Sequence, residues 1–135
     1  MASIIYNSFK QKLGDGSIDL DADSFSLRLM SSEYTPNKTH VNVSNLSGEV
    51  IGTGYTAGGK ALTNVTWTAS GESMVLDADN LSWTNATFTA RYGVLVDETA
   101  VGDPLVACFD FLENKAVTGG TFNLNMNSAG ILVLS

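Results

Sequence analysis

The sequence predicts an all-β protein: an antiparallel two-sheet sandwich (a jelly roll) of about eight strands, with one short N-terminal helix. Apolar and polar residues alternate in most segments, and in the clearest case one face carries Phe88, Ala90, Tyr92, Val94 and Val96. Such alternation is typical of strands with one hydrated face, which pair antiparallel. Parallel pairing would need crossover helices, and only one segment has helical spacing. A closed barrel is the alternative.

The single helix is predicted near the start of the chain. Ile5, Phe9 and Leu13 recur four residues apart on one helical face, and Gly14 can end the helix. Residues 33–48 are rich in turn formers, so we expect a long excursion there with one turn of helix. The predicted strands lie in the segments SFSLRLM, EVIGTGY, LTNVTWTAS, SMVLDAD, TFTARYGVLVD, PLVACFDFLE, GTFNLNMN and ILVLS.

Size and charge narrow the classes of function. The 135 residues suit a single domain, 1–135, and carry a formal net charge of −7. Seven scattered Lys and Arg residues make no basic footprint, so we expect no nucleic-acid partner. No apolar run would span a bilayer, and the first residues do not resemble a secretory signal. Cys108, the only cysteine, lies in an apolar run and is interpreted as a buried hydrophobe.

One segment, EVIGTGYTAGGKALTN, nearly matches two nucleotide-binding fingerprints. Gly54, Gly59 and Lys60 fit a phosphate loop, but Ala61 stands where a magnesium-binding Ser or Thr is required. An alternating, β-branched stretch follows, so no helix N-terminus would face the phosphates. The glycines are therefore interpreted as turns and bulges, with Tyr55 displayed between them.

The acidic residues near the start permit a calcium hypothesis. They are Asp15, Asp19, Asp21 and Asp23. A helical-hand loop needs a glycine where Ser24 stands, and a glutamate at a spacing that this chain lacks. A solvated acidic turn is the preferred interpretation, and a weaker, non-standard calcium site stays open.

Catalytic chemistry has no support in the sequence. His40 is the only histidine, and it lies far along the chain from Cys108, so a transition-metal cluster is not expected. No nucleophile-elbow motif accompanies His40. We therefore predict that the protein is not an enzyme, with no catalytic residues, cofactor or bound metal.

Several strings nevertheless resemble a known group of proteins. They are IIYNSFKQKLGDGSIDLDADSFSLRLMSSEYTP, EVIGTGYTAGGKAL, LDADNLSWTNATFTARYGVLV and GTFNLNMNSAGILVLS. Together they span nearly the whole chain and resemble small virion proteins of tailed bacteriophages, specifically jelly-roll capsid cement (decoration) proteins such as that of a Bordetella short-tailed phage. The resemblance implies a homodimer on the outer capsid surface, assembled in the host cytoplasm, that bridges neighbouring major capsid subunits. It implies no catalytic residues.

A cement protein needs aromatic anchors at its interface. We expect Tyr6, Tyr34, His40 and Tyr55 to lie outside the core as interface candidates. The apolar run Ile131–Leu134 is interpreted as a core strand more than as a docking arm.

The alternative function is a receptor- or glycan-binding module of a phage tail fibre or head fibre. In that case Trp67, Trp83 or Tyr55 would stack on a sugar ring.

Overall fold

Two antiparallel sheets make up the protein, as seen in a computed structural model that describes residues 3–135. The elements of that range are β1 (Ile4–Ile5), α1 (Asn7–Gly14), β2 (Phe25–Met30), a short 3₁₀ helix (Val43–Asn45), β3 (Lys60–Ala61), β4 (Thr66–Ser70), β5 (Ser73–Asp77), β6 (Leu81–Asp97), β7 (Leu105–Leu124) and β8 (Leu132–Leu134). The larger sheet has the order β1-β7-β6-β2-β3 and the smaller one β4-β5-β8. The predicted all-β, two-sheet fold with about eight strands and one short helix is confirmed, whereas the jelly-roll plan stays a prediction.

The helix α1 follows the predicted pattern with a shift at each end. Phe9 is buried as expected, but Ile5 lies in β1, paired with Ala107. Gly14 is the last helical residue, and the left-handed glycine that turns the chain is Gly16, at φ +84°. Gly14 was expected to be the left-handed glycine that follows the helix, and this position falls two residues later, because the sequence offers two glycines and only the second takes the positive φ.

A long hairpin of β6 and β7 forms the centre of the larger sheet. The sequence predicted two separate strands within β7, but one strand runs through both segments. It is interrupted by a bulge, because Tyr92 pairs with Asp110 and Ala90 with Lys115. The residues 111–114 therefore face Arg91 alone. This local break in alternation explains why the sequence pattern indicated an end to the strand.

The segment EVIGTGY is not a strand, contrary to the prediction. Residues 49–59 form an irregular loop that touches β2 and β6 through isolated bridges, Met30 with Glu49 and Thr53 with Thr87. Gly52 lies so close to β6 that an added Cβ would stand 2.5 Å from the Thr87 carbonyl oxygen. Lys60 is followed by strand residues and no helix, so the fingerprint lacks its helix N-terminus.

The core lies between the sheets and beneath α1. It includes Leu27 and Leu29 of β2, Val94 and Val96 of β6, and Leu76 of the smaller sheet, all fully buried. Cys108 is buried as predicted, and burial raises the pKa of its thiol to about 12. Such a thiol stays protonated at neutral pH and behaves as a small apolar side chain.

Candidate interaction surface

Two of the four predicted interface residues are core residues. Tyr6, which precedes α1, is 0% exposed, and Tyr34 is 1% exposed. Their hydroxyl oxygens lie 2.8 Å apart, and Tyr34 Oη lies 3.0 Å from His40 Nδ1. The expectation that Tyr6 and Tyr34 lie outside the core is wrong, because each hydroxyl has a hydrogen-bonding partner that makes burial of the ring possible. Burial also raises the pKa of both phenols.

His40 is half-buried at the outer end of this hydrogen-bonded row. Its ring lies 5.7 Å from that of Tyr34, centroid to centroid, and its backbone N–H donates to the Asn37 carbonyl oxygen. His40 therefore fixes the 34–40 excursion against the core.

Tyr55 holds the 49–59 loop in place through two hydrogen bonds of its hydroxyl group. Its hydroxyl donates to Glu49 Oε2 at 2.6 Å and accepts from the Leu29 N–H at 3.0 Å. The Gly58 N–H donates to the same Glu49 oxygen at 2.9 Å. Burial first, and then the Glu49 hydrogen bond, raise the pKa of Tyr55. Tyr55 thus lies half-buried in a cluster separate from Tyr6, Tyr34 and His40, so the four candidates do not form one surface.

The two tryptophans have different surroundings. Trp83 is buried beside the rings of Tyr55 and Phe122, and the Lys60 ammonium lies 5.2 Å from its ring centroid. Trp67 in β4 is only half-buried. Of the two, only Trp67 leaves an appreciable part of its ring open to a partner.

Most of the large apolar side chains that are exposed in residues 3–135 were not predicted from the sequence. They are Val41, Ile51, Val101, Leu112, Val133 and Leu134. Isolated ones are common on soluble proteins, but Val133 and Leu134 are neighbours, 44% and 52% exposed, on the edge strand β8. Ile131 and Leu132 just before them are buried, so the terminal run is part core and part surface.

A groove lies between α1 and β8, and we call it the α1–β8 groove. Its volume is about 220 Å³, and it is lined by Ile5, Phe9, Lys10, Leu13, Leu20, Trp67, Leu132, Val133 and Leu134. Lys10 is the single charged residue of the lining, and within residues 3–135 no carboxylate forms an ion pair with it. Within residues 3–135, β8 pairs with β5 alone, so the other edge of this groove-lining strand keeps unpaired backbone groups. The arrangement suits an extended apolar segment that carries a negative charge.

The acidic turn is held by its own carboxylates. Asp15 Oδ1 accepts from the Ser17 hydroxyl and from the Ser17 backbone N–H, and these two hydrogen bonds lower the pKa of Asp15. Asp19 Oδ1 accepts from two backbone N–H groups of the same turn. Among residues 3–135, no group of three or more His, Cys, Asp or Glu side chains is placed to hold a metal ion. In this geometry the carboxylates serve as turn caps.

Asp97, the last residue of β6, is a buried acid. Its Oδ1 accepts from the backbone N–H groups of Thr99 and Ala100, at 2.8 and 2.9 Å. Its Oδ2 is enclosed and faces the carboxyl group of Asp23, so a hydrogen bond between them requires a proton on one of the two. Burial first, and then Asp23, raise the pKa of Asp97 to about 6. This pair joins the acidic turn to the turn after β6.

Comparisons with protein-family models, with curated proteins and with solved structures give no match to this chain. In the part of the chain that the structure describes, no helix has the length and apolarity to cross a bilayer.

Proposed function

We propose that the protein is a bacteriophage capsid cement (decoration) protein, without enzymatic activity, that binds the outer surface of the head and bridges major capsid subunits. In this proposal it acts as a homodimer, has no cofactor, and is assembled in the host cytoplasm. The observation that carries the proposal is the α1–β8 groove, an apolar surface beside an unpaired strand edge. The partner in this proposal, the major capsid protein, comes from the resemblance of the four quoted sequence segments to capsid cement proteins.

The groove favours a protein segment as its occupant. A segment that lies in the groove contacts Phe9, Leu13 and Trp67. Where such a segment continues past β8, its backbone can pair with the free edge of that strand. Lys10 lines the same groove. Its ammonium group can form an ion pair with a carboxylate of the bound segment, which favours a segment with an acidic residue. The proposed occupant is therefore an extended, apolar and acidic segment of the major capsid subunit.

Co-sedimentation tests the proposal. The purified chain is mixed with capsid shells from the same source that have been stripped of their decoration. We expect saturable binding at a fixed ratio to the major capsid protein. A chain that stays in the supernatant at every concentration would contradict the cement function.

The alternative function, a receptor- or glycan-binding module of a phage fibre, has less support. Sugars need several polar partners beside a stacking ring. Trp83 is buried, and around Trp67 the groove offers Lys10 alone as a charged lining residue. Titration of tryptophan fluorescence with bacterial surface polysaccharide separates the two functions, because the cement proposal expects a flat response.

A further inference from the structure

The bulge in β7 places one leucine in an unusual conformation. Leu112 has φ +71° although it is neither glycine nor a residue type that tolerates this region. The other non-glycine residues with positive φ in residues 3–135 are Asn64, Asn85 and Asp103, whose short polar side chains can hydrogen-bond locally. Leu112 lacks that compensation, so its backbone is strained.

The leucine side chain itself gains little burial within the chain that would explain its presence at this position. Leu112 is 82% exposed, whereas its neighbour Phe111 turns inward, with its ring centroid 6.3 Å from that of Phe122. Phe111 Cζ also lies 3.4 Å from the position that a Cβ would take on Gly93. The bulge therefore packs Phe111 on the core side and leaves Leu112 in solvent.

The conformation is built in by specific contacts. Asp110 Oδ1 accepts from the Leu112 N–H at 2.7 Å and from Arg91 Nε at 2.9 Å. The Asp110 N–H donates to Ser3 Oγ at 2.9 Å. Arg91, and then the Leu112 N–H, lower the pKa of Asp110, so the carboxylate that holds the bulge is charged at neutral pH. Three hydrogen bonds of Asp110 thus fix the bulge in which the Leu112 side chain faces solvent.

We infer that Leu112 is the anchor of a second contact surface, which inserts into an apolar socket on a capsid subunit other than the one bound at the α1–β8 groove. Strain of this kind is retained where a function uses it, and burial of the leucine in a partner would offset it. Leu112 lines no part of the groove, so the two surfaces can engage different subunits, as bridging requires. This inference rests on the proposed cement function.

The variant Leu112→Gly separates a binding role from a structural one. Glycine adopts φ +71° without strain, so the melting temperature should rise by roughly 2–5 °C. Binding to stripped shells should weaken at least tenfold. Leu112→Asn, which also tolerates positive φ, should behave similarly. The matched control is Ile51→Ser, since Ile51 is a 97% exposed apolar residue in the 49–59 loop. This variant should change neither the melting temperature nor the binding to stripped shells.

Two results would overturn the inference while the cement function stands. One is a fall in melting temperature for both Leu112 variants, which would assign Leu112 an internal structural role. The other is shell binding by both variants within twofold of the wild-type chain. If the wild-type chain itself does not bind the shells, the cement function fails, and the inference about Leu112 fails with it.

Discussion

The hydroxyl groups of Tyr6 and Tyr34 meet in the core at an oxygen–oxygen distance of 2.8 Å, although 28 residues separate them in sequence. This contact joins the start of α1 to the 34–40 excursion, and Tyr34 extends it to His40. Two residues that the sequence indicated as surface anchors therefore stabilise the fold.

A double-mutant cycle measures this contact. Tyr34→Phe leaves the Tyr6 hydroxyl buried without that partner, so we expect a loss of roughly 1–3 kcal/mol in the free energy of unfolding. Tyr6→Phe should cost a similar amount. Tyr6→Phe should lower the free energy of unfolding less in the Tyr34→Phe background than in the wild type, because both polar groups are then gone. Urea denaturation gives the three values, and strict additivity would contradict a direct interaction.

Asp97 should make the protein less stable as the pH rises. Its pKa is raised to about 6 in the folded state, above the usual range of an aspartate, so between about pH 4 and 6 the folded state binds more protons than the unfolded state. The contribution of Asp97 to the free energy of unfolding is thus fully present below about pH 4 and is lost as the pH rises through about 6. The carboxylates with lowered pKa, such as Asp110, act in the opposite direction.

The variant Asp97→Asn isolates that effect. The amide can keep the two backbone hydrogen bonds and donate to Asp23 without a titrating proton. We compare the free energy of unfolding of the variant with that of the wild type at each pH. The variant's advantage should be roughly 1–3 kcal/mol larger at pH 7 than at pH 4. Denaturant unfolding of both proteins at the two pH values measures the difference. A difference that does not vary with pH would show that Asp97 has an ordinary pKa.

Gly58 and Gly59 form a matched pair for a test of close backbone approach. Both have positive φ, +98° and +80°, but a Cβ on Gly58 would meet nothing within 4 Å. A Cβ on Gly59 would overlap the Leu27 carbonyl group. Gly58→Ala should cost about 1–2 kcal/mol of stability for its backbone conformation alone, and Gly59→Ala on the order of 3 kcal/mol or more. Equal losses in thermal unfolding would argue against the close contact between the loop and β2.

Charge reversal tests the α1–β8 groove. Lys10→Glu should weaken shell binding about tenfold or more, because the proposed segment is acidic. Lys38→Glu makes the same change of charge at an exposed position outside the groove lining and should bind as the wild type does. Both variants should unfold within about 0.5 kcal/mol of the wild type, since both side chains are exposed. Equal weakening by both would indicate a general effect of net charge, without a role for the groove.

Residues with a local pattern were predictable, and those with a distant partner were not. Phe88 and Ala90 alternate with polar residues, and the strand that this pattern predicts is present. The burial of Tyr55 depends on Glu49 and the Leu29 backbone, which no periodicity brings together. The sequence contained no sign of the positive φ at Leu112, because the residue lies in a bulge that depends on the register of β7 against β6.

The α1–β8 groove was missed for a related reason. Its lining comes from β1, α1, β4, β8 and the turn at Leu20, and no spacing in the sequence joins them. The apolar run ILVLS correctly indicated a strand, but an edge position depends on sheet order, which a run of apolar residues does not contain.

The connections of the two sheets have a consequence for the order of folding. The β6–β7 hairpin closes across residues 98–104 alone, so its loop-closure entropy is small. β8 must instead find β5 across the whole hairpin, a far more distant contact in sequence. We therefore expect the larger sheet to form first and β8 to dock last. The wall of the groove would then be completed only in the final step, so partly folded chains would not yet be competent to engage a shell.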